Sequence, residues 1–345
     1  MEQESRTGGR GSWPGTGRRG AAPARNAAVL GVGGCGSKIV DSVIRGGAAG
    51  GVRCIAADAD SGDLGKALAP VKVLLGPRAG GRGCRGDAEA GRKACSEAAN
   101  ELAGVIAGAG ILVVVAATGG GTGGGGAPEA VRIARGLDVP PLVVTFAVTP
   151  FDWERPSRGG AAGPASPDAA LEELARAGGA HVVARNAGLS GREPRGARLA
   201  DAMGRANSAI GEAVMGVVDI FKRAPGMFAD PSELESLLAG PGRLLVGCGK
   251  GAGDAAVRDA FRGALASPLM GGRAVRDCGW LLVNIETGTS LTEDLLDMIN
   301  DARREAGPGF DIIFLRTTYD DLEASGTACV TLVASCLPVP EEGPA

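Results

Sequence analysis

The chain contains Gly31-Val32-Gly33-Gly34-Cys35-Gly36-Ser37 directly after an apolar segment, and Gly119-Gly120-Gly121-Thr122-Gly123-Gly124-Gly125-Gly126 shortly after the apolar run 111–115. Glycine lets backbone N–H groups approach phosphate oxygens without interference from a Cβ atom, and a helix that begins after such a loop adds its N-terminal dipole. Two loops of this kind at strand-to-helix junctions predict a nucleotide whose phosphates are held from both sides. The alternative is that a chain with 60 glycines in 345 residues forms glycine runs by chance.

Composition limits the classes of protein that this chain can belong to. Its 345 residues, 44% of them hydrophobic, can bury a sizeable core, and the length favours two domains. A net charge of −3 and an aromatic fraction of 3% argue against nucleic acid as a partner. The eight cysteines form no CxxC pair, so neither a zinc site nor a secreted disulfide framework is indicated. With no apolar signal core and no apolar run long enough to span a bilayer, we expect a cytoplasmic protein without direct membrane insertion.

Alternating apolar strands and amphipathic helices predict the first half of the chain to be a βαβ array with a mostly parallel sheet. We expect strands at 27–32, 52–57, 71–75, 111–116, 141–148 and 180–184, and helices at 36–45, 87–107, 127–136 and 168–178. Apolar residues from Met203 to Phe221 recur every three or four positions, which predicts one long amphipathic helix over 199–222.

The second half of the chain alternates in the same way. We expect helices at 231–239, 254–266 and 291–305, and strands at 243–248, 279–285, 310–316 and 327–335. The predicted fold class is therefore α/β: a Rossmann-like domain with a mostly parallel sheet, a long central connecting helix and a smaller second α/β domain. The corresponding boundaries are a disordered arm over 1–25, a nucleotide-binding domain over 26–198, the connecting helix over 199–223, a second domain over 224–337 and a short tail over 338–345.

A dinucleotide-binding enzyme is one alternative for the first glycine run. Gly31-x-Gly33-x-x-Gly36 formally matches the dinucleotide fingerprint, and Asp58 or Asp60 lies roughly where an acidic residue would meet a ribose hydroxyl. A dehydrogenase, however, has no need of the second glycine run. The lone histidine, His181, has no surrounding pattern that indicates hydride chemistry, so the dinucleotide hypothesis is the weaker one.

The second glycine run resembles the signature of the tubulin/FtsZ superfamily, in which two glycine blocks flank a threonine. Residues 31–38, 58–60 and 83–92 look like the first three phosphate loops of that family, and Pro150-Phe151-Asp152-Trp153-Glu154 with Arg158 is similar to a further family segment. The resemblance covers about residues 27–336 and is closer to FtsZ than to tubulin. It implies a cytoskeletal GTPase that binds GTP or GDP with Mg²⁺, assembles head to tail into protofilaments, and acts in cell division or cell shape.

The resemblance also implies which residues hold the nucleotide, with Glu154 and Arg158 near the ribose and base, and Asn186 and Asn207 reading guanine. The alternative for Glu154 and Arg158 is a solvated pair of opposite charge. The full implied set is Gly33, Gly34, Cys35, Gly36, Ser37, Lys38, Asp58, Asp60, Gly119, Gly120, Gly121, Thr122, Gly123, Gly124, Glu154, Arg158, Asn186, Asn207 and Ser208.

Three positions depart from the family pattern. Met203 stands where an aromatic residue usually stacks on guanine, Ser208 where an aspartate is usual, and Phe228 where an asparagine is expected. These departures, with the charged third loop over 83–87 and the short end over 338–345, suggest a divergent, archaeal-type paralogue with base specificity and turnover altered. They leave open a second function, a cytoskeletal regulator that binds GTP or GDP without efficient turnover.

The resemblance places catalysis in Asp230-Pro231-Ser232-Glu233, which one subunit would offer to the nucleotide of the next. Asp230 and Glu233, three residues apart at a helix start, would polarise the attacking water. The alternative is an ordinary helix start with Asp230 as N-cap and Glu233 as its capping-box partner. The expected partners are further copies of this chain, other FtsZ-like proteins and division factors. No metal ligand is assigned.

Overall fold

The computed structural model describes residues 26–47, 51–77, 80–150, 166–190, 198–222, 231–240, 242–272, 274–288, 292–319, 322 and 325–336. The predicted arm and tail lie outside these residues. So do Glu154, Arg158, Phe228 and Asp230.

The first half of the chain alternates strands and helices as expected for a parallel α/β array. The central strands are apolar and buried over almost their whole length, because helices cover both faces of the sheet. The elements are β1 (Ala27–Val32), α1 (Gly33–Arg45), β2 (Val52–Asp58), α2 (Ser61–Lys66), β3 (Val71–Leu74), α3 (Ala88–Glu97), α4 (Ala99–Ile106), β4 (Ile111–Ala117), α5 (Gly121–Arg135), β5 (Leu142–Thr149), α6 (Pro167–Ala177), β6 (Ala180–Arg185), α7 (Asn186–Ser190) and α8 (Leu199–Lys222).

The second half begins after α8 and is smaller. Its elements are α9 (Pro231–Ala239), β7 (Gly242–Ala252), α10 (Ala256–Leu265), β8 (Cys278–Thr287), α11 (Thr292–Ala306), β9 (Asp311–Thr318) and β10 (Thr327–Cys336). The helices α10 and α11 pack on β8 and β10 around Phe261 and Met298. The division of the chain into two domains stays a prediction.

The ten strands of the described chain form one sheet, in the order β3-β2-β1-β4-β5-β6-β7-β10-β8-β9. All pairs are parallel except those of β10 with β7 and β8. Between the two halves, β6 and β7 share only the three pairs from Ala180↔Gly242 to Val182↔Leu244. The predicted α/β class with a mostly parallel sheet is therefore confirmed.

The long helix α8 has the predicted bounds and buries the predicted stripe from Ile210 onwards, whereas Met203, the first residue of that stripe, is half-buried. Ile210, Val214, Val217 and Val218 are fully buried against one face of the sheet, in the same core as Ile39 of α1. The helices α3, α4 and α5 cover the opposite face. The described helices include none that is long and apolar enough to cross a membrane.

Two helices differ most from their predicted bounds, and α1 begins at Gly33, three residues before its predicted start. The predicted helix over 87–107 is divided into α3 and α4 at Ala98, and the predicted helix over 127–136 begins at Gly121, inside the glycine run. Glycine is a poor helix former, so the helix there depends on packing. A Cβ atom on Gly123 would lie 2.5 Å from the Ala117 carbonyl oxygen, and one on Gly125 would lie 2.6 Å from the Ala88 carbonyl carbon. Close contact with β4 and α3 therefore requires glycine at these helical positions.

Candidate nucleotide-binding site

A cavity of about 380 Å³ lies where β1, β2 and β4 end, at the carboxyl edge of the parallel sheet. Ligands of open α/β sheets bind at this edge. We call this space the phosphate cavity. It brings together nine of the residues assigned from the sequence: Gly33, Gly34, Cys35, Asp58, Asp60, Gly120, Gly121, Thr122 and Gly123.

Two helices begin at the phosphate cavity. The N-cap residues of α1 and α5, Val32 and Gly120, provide no side-chain hydrogen bond to the first turn. The first backbone N–H groups of a helix have no partner within the helix, and together with the helix dipole they favour an anion. A Cβ atom on Gly33, whose φ is +76°, would lie 3.3 Å from the Thr122 Cβ atom, so the two glycine runs are in contact. The arrangement can hold phosphate groups from two sides.

Thr122 does not cap α5, because the N-cap position belongs to Gly120. Its hydroxyl instead forms a hydrogen bond with the Cys84 thiol. Burial raises the pKa of this thiol above its ordinary value, and the hydrogen bond opposes the change. The contact joins the loop between β3 and α3, which contains Cys84, to the start of α5.

Some glycines assigned to binding lie behind the cavity wall. Gly36 packs directly on the backbone of β4, with no room for a Cβ atom beside the Val115 carbonyl, and a Cβ atom on Gly124 would lie 2.8 Å from the Thr118 carbonyl oxygen. Gly36, Ser37, Gly119 and Gly124 do not line the phosphate cavity. The Ser37 hydroxyl is buried and has no hydrogen-bond partner among the described residues.

Acidic side chains form the side of the phosphate cavity next to β2. Burial raises the pKa of Asp58, and a hydrogen bond from the Asp60 backbone N–H to its carboxylate, 3.1 Å long, opposes the change. Asp60 caps α2, since its Oδ1 accepts hydrogen bonds from the Gly62 and Asp63 N–H groups at 2.9 and 3.0 Å. The Oδ2 atoms of Asp58 and Asp63 both lie 3.8 Å from where a Cβ atom of Gly34 would be. Two carboxylates therefore converge on the first glycine run.

Two of the residues assigned to the base, Asn207 and Ser208, line a second cavity of about 1100 Å³ between α1, α8 and the second half of the sheet, whereas Asn186 does not line it. Lys38, Asn207 and Ser208 line it together with Met203, and the Ser208 hydroxyl donates to the Gly204 carbonyl at 3.0 Å. Asn186 begins α7, which packs against α8. We call this space the α8 cavity.

Four residues that line the phosphate cavity with charged or thiol side chains are absent from the assigned set, namely Asp63, Arg82, Cys84 and Arg85, although the last two lie in the segment 83–92 that resembles a phosphate loop. Asp63 belongs to α2, a short helix that the apolar pattern did not reveal. The other three belong to the loop between β3 and α3, where arginines between glycines were the sequence signal that could have identified them as site residues.

The helix α9 lies at the opposite end of the sheet. Glu235 and Ala239 line a small cavity with Leu142 and Val143, the first residues of β5, whereas the phosphate cavity lies beyond the last residues of β4 and β1. Since β5 has eight residues, the two ends are about 25 Å apart along the strand. Of the two residues assigned to catalysis, Glu233 is in α9, and its side chain lies outside the described part of the structure. Asp230, which precedes α9 in the sequence, lies outside the described residues altogether.

Known proteins resemble this chain over nearly all of its length. Residues 26–191 match the family described as "Tubulin/FtsZ family, GTPase domain". The cell division protein FtsZ of Magnetospirillum gryphiswaldense is 30% identical over 310 residues, which are 89% of this chain and 53% of that protein. FtsZ of Helicobacter pylori is 29% identical over 312 residues, 89% of this chain and 78% of the relative. The chain thus spans only about half the length of the Magnetospirillum relative.

Solved structures share the fold. An empty FtsZ dimer of M. jannaschii superposes with a TM-score of 0.76 at 24% identity, covering 90% of this chain and 88% of that one. CetZ2 of Haloferax volcanii, solved as a protofilament with GTPγS, gives a TM-score of 0.70 at 21% identity, covering 90% and 92%. The family match, the relatives and the fold agree: residues 26–191 belong to the tubulin/FtsZ family, and the chain is similar to FtsZ over 89% of its length.

Proposed function

We propose that this protein binds guanine nucleotides and hydrolyses GTP within head-to-tail filaments, as an FtsZ-type cytoskeletal protein of the cytoplasm that acts in cell division or cell shape. The observation that carries the proposal is the position of two parts at opposite ends of one sheet. The phosphate cavity lies at the carboxyl edge, and α9, whose first residues belong to the assigned acidic loop Asp230-Pro231-Ser232-Glu233, lies at the other end. Each part would complete its site only with a neighbouring copy.

The phosphate cavity supports the binding half of the proposal. The starts of α1 and α5 offer backbone N–H groups to the phosphate chain. From there the nucleotide would extend past Lys38 to the α8 cavity, where the Asn207 amide can both donate to and accept from a guanine edge. Ser208 offers no carboxylate there. The preference for GTP over ATP should accordingly be weaker than a charged acceptor would give, by about 1.5–3 kcal/mol.

Magnesium fits the acidic side of the phosphate cavity. Among the described residues no group of three or more His, Cys, Asp or Glu side chains could hold a metal ion. Mg²⁺ bound with a nucleotide needs only one or two carboxylates, since phosphate oxygens and waters complete its octahedron. Asp58 and Asp63 would hold it, with their Oδ2 atoms converging on Gly34. The ion would neutralise charge on the phosphate chain.

Catalysis would depend on the neighbouring subunit. Glu235 of α9 lies near the first residues of β5, and Pro231 is four residues, about 6 Å along the helix, from Glu235. The phosphate cavity of the same subunit is about 25 Å away along the strands. A separation of about 6 Å from Glu235 is too short for Asp230 and Glu233 to reach it. In a filament with all subunits in one direction, the acidic loop faces the next phosphate cavity, where a carboxylate can orient and polarise the attacking water.

Mixing two inactive variants tests this mechanism. Asp230→Ala should keep nucleotide affinity and lose hydrolysis, whereas Gly121→Val should lose binding, because a Cβ atom there would lie 2.7 Å from the Asp87 N atom and 2.9 Å from the Cys84 Cβ atom. In a mixed filament, some interfaces pair an intact cavity with an intact acidic loop. GTP hydrolysis should therefore return above the assembly concentration. A mixture that co-assembles and stays inactive would exclude a shared site.

The rate of GTP hydrolysis per subunit, measured against protein concentration, distinguishes the second candidate function. A site completed by a neighbour gives a cooperative rise in this rate. Saturable binding of GTP and GDP with no rise at any concentration would instead identify a nucleotide-binding regulator without efficient turnover. In a competition titration, ATP binding equal to or better than GTP would exclude guanine selectivity through Asn207.

A further inference from the structure

One face of β6 is only partly covered by helices, although β6 lies inside the sheet between β5 and β7. Val182 and Ala184 are buried in the core beneath α8, whereas His181 and Val183, on the other face, are half-buried. The helices on this second face are α5 and α6 in the first half of the chain and α10 in the second half. They leave a groove along β6, which we call the β6 groove.

A row of polar side chains crosses the β6 groove near the amino end of β6. Thr145, His181 and Arg243 are direct neighbours on β5, β6 and β7, so their side chains lie on the same face of the sheet. The His181 Nδ1 and Arg243 Nε atoms are buried and have no hydrogen-bond partner among the described residues. The Nε–H group of arginine is always a donor, and a buried donor without an acceptor is unfavourable.

A second arginine lies at the same end of the groove. The Arg135 Cζ atom, at the end of α5, is 3.1 Å from where a Cβ atom of Gly178 would be. Two residues later Ala180 pairs with Gly242, the residue before Arg243. Within the described part of the chain, neither arginine forms an ion pair or donates a hydrogen bond. Two positive charges without a partner carboxylate therefore lie beside the start of β6.

The chain leaves the sheet next to these charges. The pairing of β10 with β7 runs as far as Ser335↔Leu244, so Cys336, the last residue of β10, lies beside Arg243. The next residues, Leu337-Pro338-Val339-Pro340-Glu341-Glu342-Gly343-Pro344-Ala345, include two glutamates and no positively charged residue. Five residues of chain reach about 17 Å, whereas β6 is two strand spacings, about 10 Å, from β10. The glutamates can therefore reach the β6 groove of their own chain.

We infer that the segment 337–345 binds in the β6 groove of its own chain, with Glu341 and Glu342 paired to Arg243 and Arg135. Arginine binds a carboxylate through two parallel charge-assisted hydrogen bonds, which gives the Arg243 Nε–H group an acceptor. A segment attached beside its binding site acts at a high effective concentration, so two modest ion pairs are enough to hold it. The bound segment joins the second half of the chain to the first, across the three residue pairs between β6 and β7.

Zero-length cross-linking of the full chain tests this inference. A carbodiimide should join the amine introduced by Arg243→Lys to Glu341 or Glu342 through an amide bond, which peptide mapping of the monomer identifies. Arg135→Lys, at an exposed position, should give the same product and replaces the first variant if that one does not fold. Lys72 is an internal control, since β3 is seven strand spacings, about 34 Å, from β10, and it should give no such product.

The stability of the chain provides a second readout. Glu341→Gln combined with Glu342→Gln should lower the melting temperature by about 1–2 °C. In a chain that already carries Arg135→Gln and Arg243→Gln, the same two changes should have no further effect, because the ion pairs are absent. Glu2→Gln with Glu4→Gln is the matched control, which removes two negative charges before β1 and should leave the melting temperature unchanged.

Three results would overturn the inference. Cross-links that join two chains would show that the groove binds a second copy. The absence of cross-links to Glu341 and Glu342 from both introduced amines, or an equal yield at Lys72, would show that the segment does not bind there. Losses of stability that add in full between the glutamate and arginine changes would show that these side chains do not interact.

Discussion

Replacing Gly125 by alanine should destabilise the protein, although alanine is the better helix former. Gly125 lies in the first half of α5, where the helix backbone contacts the backbone of α3. A Cβ atom at this position would lie 2.8 Å from the Arg92 N atom, 2.6 Å from the Ala88 carbonyl carbon, and closer still to the Ala88 carbonyl oxygen. Because these are backbone atoms, no side-chain rotation can relieve the overlap.

Two opposing contributions determine how much Gly125→Ala changes the free energy of unfolding. Exchanging glycine for alanine in a helix interior stabilises it by about 1 kcal/mol. An extra methyl group in a closed contact costs about 1–3 kcal/mol, and the upper end applies because whole helices must separate. The free energy of unfolding should therefore fall by about 2 kcal/mol. With an m value of about 3 kcal/mol/M in urea, the midpoint should shift down by about 0.7 M.

Urea unfolding followed by circular dichroism measures this shift, and Gly104→Ala is the matched control. Gly104 is exposed in α4, and nothing lies within 4 Å of where its Cβ atom would be. This variant should be more stable than the parent by about 0.5–1 kcal/mol. If Gly125→Ala gained stability as Gly104→Ala does, close backbone packing would not be the reason that glycines occupy the start of α5.

Three further predictions concern stability and reactivity. Burial, with Arg243 nearby, lowers the pKa of His181, so the free energy of unfolding should be highest above pH 6.5 and should fall as the pH drops below it. In the His181→Gln variant the melting temperature should therefore change less between pH 7.5 and 5.5 than in the parent. An unchanged pH dependence would contradict the assignment. Asp294 is buried and accepts a hydrogen bond from the Val257 N–H at 2.6 Å, in the first turn of α10. Asp294→Ala should therefore lower the free energy of unfolding, measured in urea, by about 1–3 kcal/mol, and Asp294→Asn should lower it less. Burial raises the pKa of Cys95 to about 12, so iodoacetamide at pH 8 should alkylate it only in denaturant, as measured by peptide mapping. Rapid labelling in the native protein would contradict this prediction, because it would show that the thiol is accessible.

The elements set by local pattern were predictable from the sequence. The apolar run 111–115 became β4, and the recurring apolar residues from Ile210 to Phe221 became the buried stripe of α8. Most residues that the glycine runs assign to phosphate binding line one cavity, because parallel strands bring their carboxyl ends to one edge. Their role in binding stays a prediction. Gly36 and Gly124 show the limit of that reasoning, since glycine that approaches a ligand and glycine that approaches a strand look alike in a sequence.

Features that depend on contacts between distant segments were not predictable. The start of α5 at Gly121 contradicts local helix propensity and is determined by packing on β4 and α3. The break between α3 and α4 at Ala98 has no glycine or proline to mark it. Arg85 has a backbone conformation that its residue type disfavours. The pairing that joins β6 to β7 links strands separated by the helices α7, α8 and α9 and has no sequence signature.

That join has a mechanical consequence. Strands β4 and β5 share seven residue pairs, and β7 and β10 share nine. The parallel strands β6 and β7 share only three. In the proposed filament, tension transmitted through the sheet from one end to the other would load this short overlap in shear, because few hydrogen bonds there share the force. The long helix α8 packs beside it and contacts both halves. We expect the subunit to yield first at this overlap, with α8 acting as a tether that keeps the halves together while it re-forms.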